Sequence, residues 1–331
     1  MKQIKFEFVL RADQPIAHHS ESFGNQAISA RRKVRMPTGD WAHVPVVSGD
    51  AMRHGMREAS AYVFLDAAGL LADGGLSEPA LRLLFAGGQI TGSSGGVSKL
   101  NDYREMCDLV PPLALFGGCA QNRCIPGRLW VDDAVLICSE MEHLLPEWAV
   151  KVATHGGEHG LETCRTHVEE VQRVRMDPSL DPGKRNLLTA GAREGVERRM
   201  LASENAGELD DAKAKDDAKS TMMPRSFERI AQGSLFYWAV VANTYGALDE
   251  DTFAVACAAF LHDARVGGKR GTGHGLLTPV TGRNVQMARP SERAETISSE
   301  ALSTMRVGTL FQTHVRERAD KISAFLKEVA A

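Results

Sequence analysis

Residues Val266–Leu277 read VGGKRGTGHGLL. Glycines 267, 268, 271, 273 and 275 alternate with Lys269, Arg270 and His274, directly after an apolar helical run. A loop of this kind exposes backbone N–H groups at close range and adds positive charge, which suits phosphate. Two nucleotide fingerprints fail here. Gly268 and Gly273 have P-loop spacing, but His274 stands where that loop needs lysine. A dinucleotide fingerprint follows a strand and opens a helix, whereas this loop follows a helix and leads into LLTPV. The phosphate-facing residues would be Gly267, Gly268, Lys269, Arg270, Thr272, Gly273 and His274; the plain alternative is a flexible surface turn.

The totals limit what such a loop can serve. With 331 residues, 43% hydrophobic, the chain can bury a large core in one elaborated domain or two. Net charge is −3 and the pI is about 6.4, unlike a typical basic nucleic-acid binder, so any polyanion site must come from local clusters. Six cysteines without a secretory segment point to reduced thiols and a cytoplasmic location. The opening MKQIKFEFVL is too short and too alternating for a signal peptide, and no run reaches the length of a membrane span.

Elements follow from periodicity. Ile4, Phe6, Phe8 and Leu10 alternate with Lys5, Glu7, Val9 and Arg11 as in a half-buried strand. A basic stretch with Arg31, Arg32, Lys33 and Arg35 shows little period, and its plain reading is a solvated face. After VPVVSGD a helix begins, capped by Ser48 or Asp50, with Met52, Met56 and Val63 on one face and Arg53 and Arg57 on an adjacent one. GRLWVDDAVLIC reads as one strand and QGSLFYWAVVAN as a buried one. A helix capped by Asp249 buries Phe253, Cys257 and Phe260 or Leu261. The last helix spans about 309–328, with Phe311, Val315, Ile322 and Phe325 or Leu326 inward. Residues 150–230 are charged and interrupted, and read as an insertion carried by an α+β core.

Other chemistry is weakly signalled. HGGEH, 155–159, matches a zinc-protease pattern, but its two glycines oppose the required helix. Cys119 and Cys124 lack C-x-x-C spacing and read as buried thiols. No catalytic residue, metal site or cofactor is expected.

Four stretches, in order, resemble the RAMP superfamily of CRISPR proteins, in particular the backbone subunits that polymerise along guide RNA. VPVVSGDAMRHGMR (44–57) is similar to the family's iPGSSLKGALR; LALFGG and GRLWVDDAVL resemble LFG and GkLxVxDA. RVRMDPSL with MMPRSFERIAQGSLFYW resembles the arginine-aspartate segment and the ErVPxGtxF return strand. VGGKRGTGHGLL matches iGGkkSrGyGrv without a gap. The resemblance implies a ferredoxin-like (RRM-like) palm within a single domain, 1–331, with a fingers insertion near 60–120 and a thumb near 150–230.

It also implies partners and sites. The partners are guide RNA, a target strand paired to it (DNA preferred over RNA), further copies of the chain and other CRISPR effector subunits, with no membrane. RNA would be held by Arg31, Arg32, Lys33, by Ser48, Gly49 and Asp50 at a helix N-terminus, by Arg53 and Arg57, and by the glycine loop. Arg175, Met222, Met223, Pro224 and Arg225 would belong to the thumb. His54 stands where the family has glycine, with Gly55 one position later, and Gly271 replaces a serine. RNA-cleaving members carry an aspartate in the first basic loop; FGNQAISARRK has no carboxylate, and Asp13 and Asp40 lie too far along the chain. A non-catalytic scaffold follows, type IV fitting best, the alternative being an endonuclease using a carboxylate such as Asp40.

Overall fold

The structure, a computed structural model, describes residues 1–71, 76–88, 96–97, 100–120, 123–173, 181–204, 225–286 and 295–328. In chain order its elements are β1 (Lys2–Ala12), β2 (His19–Phe23), β3 (Gln26–Ser29), β4 (Arg31–Arg35), β5 (Trp41–Val47), α1 (Gly49–Ala67), α2 (Glu78–Ala86), β6 (Gly96–Val97), α3 (Leu100–Leu109) and α4 (Pro111–Phe116). Then come β7 (Gly118–Ala120), β8 (Arg123–Ile125), β9 (Leu129–Val131), β10 (Ala134–Leu136), α5 (Glu147–Ala153), β11 (Val168–Arg173), α6 (Pro182–Arg185) and α7 (Ala190–Glu204). The rest are β12 (Arg225–Ile230), β13 (Leu235–Thr244), α8 (Ala247–His262), β14 (Ala264–Arg265), β15 (Leu276–Gln286), β16 (Glu295–Ile297), α9 (Ser299–Val307), α10 (Thr309–Glu317) and α11 (Ala319–Glu328).

The chain forms two compact units, Met1–Ser20 with Ser29–Glu169 and Arg229–Ala331, and Glu21–Ile28 with Glu170–Glu228. In the first, the main sheet runs β14-β15-β1-β13-β10-β5-β4, with β16 on β15 and β9 on β13. Its centre, β15-β1-β13-β10, is antiparallel throughout, with α1 after β1 and α8 between β13 and β15. That is the ferredoxin-like order of an α+β fold.

The alternation in β1 decides which face the helices cover. Ile4, Phe6, Phe8 and Leu10 are buried together with Met52 and Met56 of α1 and Phe253 and Phe260 of α8. Phe6 stacks on Phe253 at 4.6 Å, Phe8 on Trp238 at 5.8 Å, and Trp238 meets Phe260 edge-on at 5.7 Å. Gly55 permits this packing: a Cβ there would stand 2.6 Å from the Phe260 ring. His54 is exposed. The displaced glycine therefore does the close packing, and His54 does not disturb it. A second cluster joins Phe64, Leu83, Leu84 and Leu113 to Phe311, Val315, Ile322 and Leu326.

Several expectations are corrected. β1 is covered on both faces at Val9, which packs with Ile137 and with Ala149 of α5. GRLWVDDAVLIC is two strands broken at Asp132–Asp133, both paired with β13. The basic stretch forms β4, whose single buried residue, Val34, leaves almost no apolar period to detect. Gly246, not Asp249, precedes α8; Asp249 accepts the Tyr245 N–H at 2.8 Å and pairs with Arg128 at 2.7 Å. The last helix breaks at Arg318, which leaves helical geometry and pairs with Asp108.

The second unit has the sheet β11-β12-β3-β2, with β3 parallel to β12. Phe227 is buried beneath the Arg173 guanidinium, and Arg225 is exposed at the start of β12. Arg175, Met222, Met223, Pro224 and residues 205–221 lie outside the described residues; residues 150–169 run in the first unit. Among the described residues no helix is long and apolar enough to cross a membrane.

Overpacking a filled core costs about 1–3 kcal/mol. Gly55→Leu should lower stability by that order in denaturant titration, while His54→Ala should be neutral. A neutral Gly55→Leu would contradict the close α1–α8 approach.

Candidate nucleic-acid interface

The glycine loop starts where β14 ends. The Val266 N–H donates to the Gly275 carbonyl at 2.9 Å and closes the neck. The Gly268 N–H donates to Ala17 O at 2.7 Å and the Gly275 N–H to Pro15 O at 2.9 Å. Gly267 has φ +73°, and a Cβ there would stand 2.6 Å from Ala17 O. The bare backbone is thus used first to dock the loop onto the chain's own Pro15–Ala17. Lys269 is left-handed at φ 60°, and Arg270–Thr272 is a short 3-10 turn. The turn is closed by Thr272 N–H to Lys269 O at 2.9 Å. Gly273 follows at φ +75°, where any side chain would be strained.

His274 is not the surface cation the composition suggested. It is 3% exposed, with Nδ1 3.0 Å from the Thr272 carbonyl oxygen. Lys269 and Arg270 remain at the tip, Arg270 facing Glu58 of α1 at 3.8 Å.

Ala17 leads to the second predicted feature. Its neighbour His18 accepts the Ser48 N–H at Nε2 (3.2 Å), so the ring is neutral with its proton on Nδ1. Ser48 caps α1 by accepting the Ala51 N–H at 3.3 Å, with its hydroxyl 3.1 Å from the same His18 nitrogen. The Gly49 N–H donates to Asp133 Oδ1 at 2.7 Å, and Asp133 Oδ2 pairs with Arg32 at 2.8 Å. The anion at this helix N-terminus is therefore the chain's own carboxylate. Exposed Asp50 adds a second negative charge in the first turn, which suits the helix dipole.

Arg53 and Arg57 share a face, as their spacing requires, but that face looks inward. Arg53 donates to Leu129 O and Phe116 O, each at 2.7 Å. Arg57 donates to Gly117 O at 3.0 Å and Phe116 O at 2.9 Å. Both guanidinium groups lie over the Phe116 ring. Burial, then the charge of Arg53, pushes Arg57 down to about 10. These arginines tie α1 to the turn after α4 rather than offering themselves to solvent.

Arg31, Arg32 and Lys33 are exposed on β4. No sequence motif singles out His18 or Trp41. The double acid in VDDA was the one available signal for Asp133.

The remaining candidates resolve simply. His155 lies beyond the end of α5 with φ 50°, so His155 and His159 do not share a helical face. Cys119 and Cys124 face each other across β7 and β8, Sγ to Sγ 3.0 Å; Cys119 is half-buried and Cys124 exposed, contrary to expectation. Among the described residues no three His, Cys, Asp or Glu side chains are placed to hold a metal.

Two outcomes follow from this geometry. Arg57→Ala removes the donor to the Gly117 carbonyl and one of the two to Phe116 O, and should cost about 1–3 kcal/mol of stability; an unchanged unfolding midpoint would return Arg57 to a surface role. Burial, then the charge of His19, holds His18 below its ordinary value of 6.5, against the pull of Asp133. The unfolded chain therefore takes this proton first. The stability His18 contributes is complete above 6.5 and is lost as pH falls through its folded value. His167, also lowered by burial, acts in the same direction. The unfolding midpoint should fall between pH 7 and pH 5, and His18→Gln should shrink the fall; an unaltered fall would contradict the Ser48 contact.

No protein-family model matches the chain, and no curated protein matches it in sequence. Its fold is similar to that of a chain in a solved type IV-B CRISPR complex, with TM-score 0.51 and 15% identity. The match covers 88% of this chain and 93% of that one, so the fold is shared over nearly the whole length of both.

Proposed function

We propose that this chain is a non-catalytic backbone subunit of a type IV CRISPR effector complex, which binds guide RNA and polymerises along it. Its further partners are copies of itself, other effector subunits and a target strand, DNA in preference to RNA, paired to the guide. The observation that carries the reading is the linkage of two basic elements through one short segment. Lys269 and Arg270 project from a loop hydrogen-bonded to Ala17, and the next residue, His18, accepts the Ala30 N–H at 2.8 Å where β4 begins. Cations far apart in sequence are thereby tied to one place, although the whole chain is acidic. The end-to-end likeness of fold to the type IV-B complex chain supports the same reading.

The roles divide by geometry. Lys269, Arg270, Arg31 and Lys33 grip phosphate; Gly267, Gly268 and Gly273 shape the loop. Ser48, Gly49, Arg32, Arg53 and Arg57 position these elements. Contacts of this kind hold a strand without reading it, and base pairing supplies the sequence. The thumb, with Arg175, Met222, Met223, Pro224 and Arg225, would wedge between stacked bases at each subunit boundary. Asp40, the carboxylate of the endonuclease alternative, lies in the β4–β5 hairpin and accepts a hydrogen bond from Thr38 at 3.0 Å.

The protein purified from its native host should carry small RNA of defined length. Lys269→Ala with Arg270→Ala should weaken binding of unrelated RNAs about equally and flatten the salt dependence by roughly 0.7 in slope per lost contact. Gly268→Leu tests close approach without the strain a side chain at Gly273 would bring. Sequence-selective loss would contradict phosphate gripping. Target-RNA cleavage with Mg²⁺ or Mn²⁺, abolished in Asp40→Asn, would favour the endonuclease alternative.

A further inference from the structure

β4 and β5 form a two-stranded ribbon whose outer face the glycine loop does not explain. Arg31 stands opposite Pro45, Lys33 opposite His43, and Arg35 opposite Trp41. Strand alternation puts these six side chains on one face. Five of them, Pro45 excepted, are exposed, and none is a carboxylate. The other face is spent: Val34 and Val44 enter the core and Arg32 pairs with Asp133.

Trp41 is 56% exposed, with the Lys33 ammonium 4.5 Å from its ring centre. Two side chains also contact the ribbon's backbone. His143 Nε2 lies 3.1 Å from the Arg35 carbonyl oxygen, and the Cys164 thiol faces the His43 carbonyl oxygen at 3.8 Å. Of the nearby carboxylates, Asp40 accepts from Thr38 and Glu140 accepts the Cys164 N–H.

An indole beside a row of cations is what a single strand of nucleic acid needs. A base offers a flat π-face to the ring while its phosphates meet the charges. Alternate residues of a strand lie about 6.8 Å apart, so Arg31, Lys33 and Arg35 form a row that can follow several phosphates. We infer that the β4–β5 ribbon is the base-stacking part of the nucleic-acid face, on which an unpaired base stacks against Trp41 while Lys33 and Arg35 hold the flanking phosphates. The inference rests on the reading of the chain as an RNA-binding subunit. It adds a base contact, chemically distinct from the phosphate contacts of the loop.

The test uses the full chain freed of RNA and fluorescent single strands of oligo-U and oligo-dT, each also with abasic positions at its centre. Trp41→Ala should weaken binding about tenfold or more with an unchanged salt slope, while Trp41→Phe keeps most of the affinity. On abasic strands wild type and Trp41→Ala should bind alike. Lys33→Ala and Arg35→Ala should each flatten the slope by roughly 0.7. The two homopolymers show whether the face takes ribose or deoxyribose strands. Equal binding by wild type and Trp41→Ala on intact strands would overturn the inference, and so would a loss that persists on abasic strands. If only the Lys269 and Arg270 variants lose affinity, the ribbon fails and the loop reading stands. If the wild type binds no single strand, both fail.

Discussion

The contact on which the arrangement depends is a run of backbone hydrogen bonds made by four residues, Pro15 to His18. Pro15 and Ala17 receive the glycine loop through Gly275 and Gly268; Ile16 exchanges two hydrogen bonds with Ile230 at the end of β12; His18 holds Ser48 through its ring and Ala30 through its carbonyl. Loop, helix start and basic strand come from different parts of the chain, and this segment gives them a common anchor. Glycine is required where the anchor is tightest. At Gly267 a methyl group would strike the Ala17 carbonyl, and at Gly275 one would strike the Val266 carbonyl.

Seen from this anchor, the residues divide by what their charges already satisfy. Asp133 sits at the helix N-terminus and holds Arg32, so the dipole of α1 is answered from within. Arg53 and Arg57 spend their donors on carbonyls of residues 116, 117 and 129. Lys33 rests over Trp41, an arrangement a base can join without breaking an ion pair. A chain with net charge −3 can still offer a local cluster of cations.

Much of the fold was legible in the sequence. The alternation Ile4, Phe6, Phe8, Leu10 and the buried run at 235–244 specify the two central strands, since period two and continuous burial are strong local signals. The hidden parts were those that depend on distant partners. β4 has one apolar residue, so its strand character comes from pairing with β5 and not from its own pattern. Arg53 and Arg57 look like surface cations until the turn after α4 is in place to receive them. His274 looks like a loop cation until the neck at Val266 buries it. Gly55 is a further case: the sequence marks it as the small residue beside His54, but only the Phe260 ring shows what it accommodates.

A backbone subunit differs from an isolated RNA-binding protein in that each copy must meet copies on both sides, which yields an open array and not a closed oligomer. Native mass spectrometry of the chain reconstituted on guides of increasing length tests this directly. The account predicts particles that grow in steps of one 35.9 kDa chain for each fixed increment of RNA. A single bound copy on every guide, whatever its length, would contradict it.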